Sequence, residues 1–127
     1  MDFNFVPFKD VGGKYSSYYI SLCAYGGFGF NSGFYKLENI NKYQCVLVSY
    51  DGNKKAIGFC FTNDTSLEGA CKISHSKNVH SGSVGVSSFF KAHQIDLKEH
   101  TGKYIPKKYK DPNMGDIFYI LLDEKNK

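Results

Sequence analysis

The residues of this sequence with the clearest chemical potential are lysines and tyrosines of its second half. Residues 72–110 contain eight Lys and only two acidic residues, Asp96 and Glu99. Residues 103–110 interleave the two types in the sequence KYIPKKYK. Lys side chains neutralise backbone phosphates and Tyr rings stack on bases or sugars, so the pattern favours contact with nucleic acid. The predicted nucleic-acid-binding residues are Lys72, Lys77, Lys103, Tyr104, Lys107, Lys108, Tyr109 and Lys110.

The kind of binding that these residues allow is limited by the absence of Arg. All 16 basic residues of the chain are Lys. Arg makes the bidentate contacts that identify guanine from the major groove, whereas Lys acts as a point charge. We therefore expect a salt-sensitive interaction that is dominated by phosphate contacts and has modest sequence preference. The sequence leaves open an alternative in which these lysines only keep the surface solvated.

Four histidines and one cysteine form a second candidate group. Cys71 precedes the first His by four positions, and the histidines span 26 residues: His75, His80, His93 and His100. Their spacing matches no zinc motif, and a zinc site needs three or four converging ligands. On one strand, Cys71 and His75 would lie about 13 Å apart, too far for a nucleophile and its base. We predict no catalytic residue, no metal and no cofactor, and expect a protein that is not an enzyme.

The elements that must position these residues are mainly strands. In several segments the apolar or aromatic residues fall on one face, as Ile57, Phe59 and Phe61 do, which is typical of half-buried strands. The first half predicts two strands, a helix and a hairpin at residues 18–25, 28–30, 34–41, 43–50 and 56–62. Asp51-Gly52-Asn53 is a strong signal for the hairpin turn. The second half predicts strands at 70–75, 83–86 and 117–122, a helix at 89–95, and loops at 98–103 and 111–115. Pro106 excludes an interior strand position next to residues 103–105.

The two halves share a short repeated motif. Gly29-Phe30-Asn31-Ser32 aligns with Gly85-Val86-Ser87-Ser88, and after a gap of one residue FYK at 34–36 aligns with FFK at 89–91. We predict one domain over residues 1–127, with a lead-in (1–16), a first half (17–64) and a second half (65–124). The predicted fold is mainly β (α+β), a small closed or partly open barrel built from two similar strand-strand-helix-strand-strand halves. Coincidence between two glycine turns is the alternative.

The first half resembles the swapped-hairpin half-barrel of the AbrB/MazE/MraZ-like transcription factors, and two such units resemble the DNA-binding pseudobarrel fold. The residues that carry the resemblance are Ile20, Gly27, Phe28, Phe30, Phe34, Leu37, Ile40, Val46, Val48, Asp51, Ile57 and Phe59. The resemblance implies a DNA-binding regulatory or accessory protein, which here would use Lys-rich loops of the second half. It rests on the apolar skeleton, because the Arg residues with which such proteins contact DNA have no counterpart in this sequence.

Composition indicates the class of protein and its expected cellular location. Apolar residues make up 42% of the chain and charged residues 22%, which suits a globular domain. No apolar run approaches the roughly 18 residues of a membrane-spanning helix, and the N-terminus has no signal-peptide pattern. We therefore expect a cytoplasmic protein without membrane contact. In that compartment we expect reduced, buried thiols at all four Cys: Cys23, Cys45, Cys60 and Cys71.

Two partners are predicted, DNA and a second copy of the chain. Exposed sheet edges could pair two copies into a homodimer, whereas two fused halves could also be monomeric. A different class of function remains open from the residues alone. It is a protein–protein interaction or small-ligand-binding module without enzymatic activity, which would use an aromatic surface formed by Tyr18, Tyr19, Tyr25, Phe28 and Tyr35.

Overall fold

The computed structural model describes residues 18–76 and 80–125, and within them ten strands form two antiparallel sheets. The predicted lead-in at 1–16 and Lys77 lie outside these residues. Strands are numbered in chain order. Sheet I has the spatial order β6 (Ser74–Ser76), β7 (Ser81–Gly85), β2 (Gly27–Phe30), β1 (Ile20–Cys23) and β8 (Gly102–Tyr104). Sheet II has the order β5 (Cys71–Lys72), β3 (Cys45–Asp51), β4 (Ala56–Thr62), β10 (Gly115–Leu121) and β9 (Lys107–Asp111).

The inner faces of the two sheets share one hydrophobic core. On β1, Ile20 and Leu22 are buried, while the residues between and after them are partly exposed. This period of two is that of a strand with one buried face. The ring of Phe28 in sheet I lies 4.8 Å from that of Phe59 in sheet II, edge to face. Such aromatic pairs add to the free energy gained by burial and fix how the sheets sit on each other.

Two short helices each insert a phenylalanine ring into the hydrophobic core. Helix α1 (Ser32–Leu37) inserts Phe34, whose ring lies 5.0 Å from Phe118 of sheet II and 6.1 Å from Phe30 of sheet I. Helix α2 (Ser87–Ala92) inserts Phe90, which lies 5.3 Å from Phe28. Within residues 18–76 and 80–125, the remaining helical segments are α3 (Leu97–His100) and two 3-10 turns, Ile40–Lys42 and Leu122–Glu124.

The chain crosses from one sheet to the other at both sheet edges. Only Ile73 separates β5 of sheet II from β6 of sheet I, so the strand predicted at 70–75 is bent into two. At the opposite edge, Ile105 and Pro106 separate β8 from β9. Ile73 and Pro106 are buried at these corners. A strand that bends through a buried residue lets one segment serve both sheets.

The predicted fold class is confirmed in its coarser part, because the described chain is mainly β. The strands form two five-stranded sheets rather than one closed sheet. Each sheet ends in an edge strand on both sides, and at these edges the chain continues into the other sheet. None of the helices within the described residues is long and apolar enough to cross a membrane.

The repeated motif has matching backbone geometry in both halves. After α1, Asn39 takes a left-handed conformation (φ 54°), and after α2 Gln94 does the same (φ 55°). Each is followed by a buried isoleucine, Ile40 or Ile95. The two hairpin turns also correspond. Asp51 accepts backbone hydrogen bonds from the residues two and three positions further on, as Asp111 does in the second half.

Candidate nucleic-acid interface

The segment KKYK at 107–110 lies on a strand and not in a loop. It forms most of β9, which pairs with β10 and is the last strand of sheet II. Successive side chains of a strand point to opposite faces. Lys107 and Tyr109 therefore share one face of the edge strand, and Lys108 and Lys110 share the other. Four of the eight predicted residues are thus brought together on one exposed strand.

Tyr109 lies in a shallow groove on the outer face of sheet II. The groove has a volume of ≈ 560 Å³, and its lining includes Ile117 and Tyr119. Tyr109 is 51% exposed, and its ring lies 6.4 Å from that of Tyr119, edge to face. On the same face of β9, the Lys107 ammonium lies 2.8 Å from the Glu124 carboxylate. This hydrogen bond raises the pKa of Lys107.

A second concavity, which we call the aromatic cleft, lies on the face of β9 from which the side chains of Lys108 and Lys110 project. Its volume is ≈ 360 Å³. Three half-buried rings line it: Tyr43, Phe61 and Phe118. The ring of Phe61 lies 5.9 Å from that of Tyr43 and 6.0 Å from that of Phe118. The cleft therefore combines aromatic surface with two cationic side chains at its border.

Glu38 supplies a partly buried carboxylate to the aromatic cleft. Its side chain is 15% exposed, and it accepts a hydrogen bond of 2.9 Å from the hydroxyl of Tyr18. Burial, together with this carboxylate, raises the pKa of Tyr18 well above its usual value. The other carboxylate oxygen lies 3.4 Å from the ammonium of Lys108. Asp116 adds a second, exposed carboxylate to the lining.

Lys108 is held loosely in this arrangement. Its side chain is 68% exposed, and its ammonium lies 5.8 Å from the centre of the Phe118 ring. A long contact to Glu38 and a distant cation–π contact contribute little free energy at an exposed position. The ammonium can therefore leave Glu38 for a more strongly charged group without a large cost.

Lys72 and Lys103 do not join the residues of β9. Lys72 lies on β5 at the opposite edge of sheet II. Four strand spacings separate the two edges, about 19 Å. Lys103 lies on β8 of sheet I, where its ammonium is 4.8 Å from the centre of the Tyr19 ring. These two lysines are exposed but belong to other parts of the surface.

Tyr104 is a core residue and not a surface residue, which corrects its predicted place in the interface. It is 1% exposed, and its hydroxyl donates a hydrogen bond of 2.5 Å to the carbonyl of His100. Burial raises the pKa of its hydroxyl to about 12. Tyr104 pairs with Ile20 across sheet I, so alternation turns its ring to the core. The ring has no free face for a base.

The aromatic surface predicted for an interaction module is also divided. Phe28 and Tyr35 are buried, at 0% and 5% exposure, whereas Tyr25 is 59% exposed. Phe28 lies on the core side of β2, and Tyr35 lies on the buried side of α1. These aromatic residues therefore do not form one exposed surface.

The described histidines lie apart and make separate contacts. The two ring nitrogens of His75 lie 2.8 Å from the Tyr35 hydroxyl and 2.8 Å from the Tyr43 carbonyl. The ring of His93 lies near those of Tyr50 and Phe89, at 5.0 and 4.8 Å. Within residues 18–76 and 80–125, no group of three His, Cys, Asp or Glu side chains converges as metal ligands would.

The four cysteines are free thiols, but only Cys45 is fully buried. Partial burial nevertheless raises the pKa of Cys23, Cys60 and Cys71. Such thiols stay protonated at neutral pH and are poor nucleophiles. The predicted burial of all four cysteines is therefore corrected to one buried and three partly exposed thiols.

No sequence pattern marks the residues that line the groove and the aromatic cleft. Glu38 lies in the predicted helix 34–41 without a motif to mark it, and Phe118 lies 80 positions further along the chain. Tyr119 is one residue of a predicted strand. The one available signal is the predicted strand at 117–122, because successive side chains of a strand point to opposite faces and Ile117 and Tyr119 then lie opposite Phe118.

The chain matches no protein-family model, no curated protein and no solved structure with which it was compared. Its resemblance to the AbrB/MazE/MraZ-like group therefore stays a prediction. Geometry and charge on β9, in the groove and in the aromatic cleft are the observations from which a function can be inferred.

Proposed function

We propose that this chain is a nucleic-acid-binding regulatory or accessory protein without enzymatic activity. The observation that carries the proposal is the composition of β9, an edge strand with Lys on both faces and a half-exposed Tyr109 beside Tyr119. Lysines along an exposed strand can follow a phosphate backbone, and the tyrosine rings offer stacking surface. DNA is the expected ligand, and a cytoplasmic location stays a prediction.

The groove on sheet II favours an unpaired strand over a duplex. An open β face with exposed aromatic rings is a stacking platform for splayed bases, whereas a duplex keeps its bases stacked inside. The described helices have four or six residues, too short to present a recognition surface to a major groove. We therefore expect single strands to bind more tightly than duplexes of equal length.

The scaffold proposed for this function is a barrel-like body made of two related halves. In sheet I, β2 pairs with β7 and places Phe28 opposite Val84. In sheet II, β4 pairs with β10 and places Phe59 opposite Phe118. Each central pair thus joins one strand from each half, which supports an internal duplication. The AbrB-like relationship is proposed on the same grounds.

The test is a fluorescence-anisotropy titration with a single strand and a duplex of about 30 nucleotides, at about 50 and 200 mM salt. Binding of the single strand should weaken steeply as salt rises. For the single strand, the variant Lys107→Gln/Lys110→Gln should reduce the slope of log affinity against log salt by about 1.4, or about 0.7 for each lysine. Tyr109→Ala should weaken binding about fivefold or more through lost stacking.

A matched control distinguishes the loss of lysines at the proposed site from a loss of overall positive charge. Lys72→Gln/Lys91→Gln removes the same charge from β5 and α2, where both lysines are exposed. We expect this double variant to retain the wild-type salt slope. Equal effects of the two double variants would mean that β9 is not the interface. No binding of either ligand at low salt would refute the proposed function.

The second candidate, a protein–protein interaction or small-ligand module, is favoured by the groove itself. Its aromatic and aliphatic lining, with Ile117, Tyr119 and Leu121, can bury an apolar partner without any phosphate contact. Pairing of a second copy of the chain along β9 would be one such interaction. Binding of an apolar partner should change little between low and physiological salt, whereas self-pairing along the Lys-rich β9 should strengthen as salt screens the like charges. Both responses differ from the steep loss expected for the first candidate.

A further inference from the structure

We propose that the aromatic cleft takes a guanine-type base that carries a phosphate, either as a free nucleotide or as an unpaired residue of a single strand. This deepens the proposed function and, for the single strand, rests on it. The cleft volume of ≈ 360 Å³ lies in the range of pockets that hold small molecules. The lining supplies three kinds of groups that such a ligand needs, namely aromatic rings, ammonium groups and the partly buried carboxylate of Glu38, and it also contains the exposed carboxylate of Asp116.

The rings of the cleft provide the stacking surface. Tyr43 and Phe61 lie side by side with an angle of 38° between their ring planes, and both are only half-buried. The ring of Phe118 also lies beside that of Phe61, with an angle of 69° between the two ring planes. A planar base is the ligand shape that exposed ring faces accept best, because stacking buries the faces of a flat ring.

The Glu38 carboxylate provides selectivity for guanine. Guanine presents two adjacent donors on its Watson–Crick edge, the ring N–H and the exocyclic amino group, and a carboxylate accepts both. Adenine presents a ring acceptor at the first of these positions, which a carboxylate repels. Tyr18 holds Glu38 in place with its 2.9 Å hydrogen bond, and each carboxylate oxygen keeps a further lone pair for a ligand.

Lys108 and Lys110 provide the phosphate contact. Lys108 rests 3.4 Å from Glu38, and a base that bonds to this carboxylate would displace its ammonium. The displaced ammonium is on a flexible and largely exposed side chain, so it can turn to the phosphate of the same ligand. Lys110 is on the same face of β9, so the two can hold the phosphate together.

The experiment compares guanosine monophosphate with adenosine monophosphate by isothermal titration calorimetry, and oligothymidine of about 12 nucleotides with and without one central guanine by anisotropy. We expect guanosine monophosphate to bind about tenfold more tightly than adenosine monophosphate. A central guanine should increase oligonucleotide affinity by a similar factor if the base comes from a single strand. A preference confined to the mononucleotides would identify a free nucleotide as the ligand.

Glu38→Gln tests whether the Glu38 carboxylate distinguishes guanine from adenine. Glutamine keeps an oxygen that can accept the Tyr18 hydrogen bond, while the negative charge is removed. Guanosine monophosphate should lose about tenfold in affinity relative to adenosine monophosphate, because the carboxylate that accepts from guanine and repels the ring acceptor of adenine is gone. Glu124→Gln removes the same charge beside Lys107 on the outer face, and it should leave the ratio between the two nucleotides unchanged.

A second variant keeps the proposal testable if Glu38→Gln unfolds. Lys110 is exposed, so Lys110→Gln should fold normally. It should weaken guanosine monophosphate severalfold and leave guanosine, which has no phosphate, unchanged. Equal affinities for the two mononucleotides and no effect of a central guanine would overturn the base site. Salt-sensitive binding of plain oligothymidine is independent of that result and tests the proposed function alone.

Discussion

The carboxylate of Glu38 accepts a hydrogen bond of 2.9 Å from the hydroxyl of Tyr18, and it also lies beside Lys108 of β9. A carboxylate that is 15% exposed needs a hydrogen-bond donor such as Tyr18, since burial without one would cost several kcal/mol. The contact joins the residue that follows α1 to the chain that leads into β1. The same carboxylate is a charged hydrogen-bond acceptor in the aromatic cleft, so one group serves both the fold and the proposed site.

The Tyr18–Glu38 contact should be measurable as stability. Tyr18→Phe removes the hydroxyl and leaves the carboxylate with one donor fewer, which should lower the free energy of unfolding by about 1–3 kcal/mol. Urea denaturation followed by circular dichroism gives this difference. Tyr19→Phe is the matched control, since its ring contact with Lys103 is kept. An equal loss in both variants would show that Glu38 does not depend on Tyr18.

Tyr104 should make the protein less stable at high pH. Burial raises its pKa from 10 to about 12, so the folded protein keeps a proton that the unfolded chain releases above pH 10. Stability that is fully present below pH 10 is therefore lost as the pH rises to about 12. The loss assigned to Tyr104 is about 3 kcal/mol, from the size of the pKa change.

Comparison with Tyr104→Phe isolates this contribution from those of the other tyrosines. At neutral pH the variant should be about 1 kcal/mol less stable, because the hydrogen bond to His100 is lost. Between pH 10 and 12, however, its free energy of unfolding should fall less steeply than that of the wild type. Parallel curves for the two proteins would contradict a buried, protonated Tyr104.

The sequence was informative where local chemistry decides the structure. Asp51-Gly52-Asn53 predicted the turn between β3 and β4, and the Phe-rich repeat located α1 and α2 to within a few residues. Alternation also predicted the inward positions of β1. These features depend on residues that are close together in the chain, so their patterns can be read without the fold.

The remaining features depend on contacts between distant residues. β9 contains only Lys, Tyr and Asp, so it has no apolar period that would predict a strand. The segment forms a strand because it pairs with β10. Likewise, Glu38 and Phe118 meet in the aromatic cleft because α1 packs its Phe34 ring against Phe118 of sheet II. No local sequence pattern predicts a contact between residues so far apart in the chain, and for the same reason the burial of Tyr104 could not be predicted.

His75 should be found in one tautomer. A carbonyl only accepts hydrogen bonds, so the Nε2 atom, 2.8 Å from the Tyr43 carbonyl, must carry the proton of the neutral ring. The Nδ1 atom then accepts from the Tyr35 hydroxyl, also over 2.8 Å. Long-range ¹⁵N–¹H NMR at a pH where the ring is neutral should show protonated Nε2. Tyr35→Phe should shift the Nδ1 resonance, and an Nδ1-protonated ring would contradict this geometry.

Gly27 and Gly85 lie directly opposite each other in sheet I but should differ sharply in tolerance to substitution. A Cβ atom at Gly27 would lie 2.4 Å from the backbone carbonyl of Val84, which cannot move without breaking the β2–β7 pair. Gly85 has no atom within 4 Å of the same position. We expect Gly27→Ala to lower the free energy of unfolding by about 1–3 kcal/mol or more.

Gly85→Ala provides the control at the same level of the sheet. Alanine reduces the conformational entropy of the unfolded chain, so this variant should be unchanged or about 0.4–1 kcal/mol more stable. Thermal and urea denaturation of the two variants side by side measure the difference. Because β2 and β7 come from different halves of the chain, similar stabilities of the two variants would mean that the halves do not meet in this register.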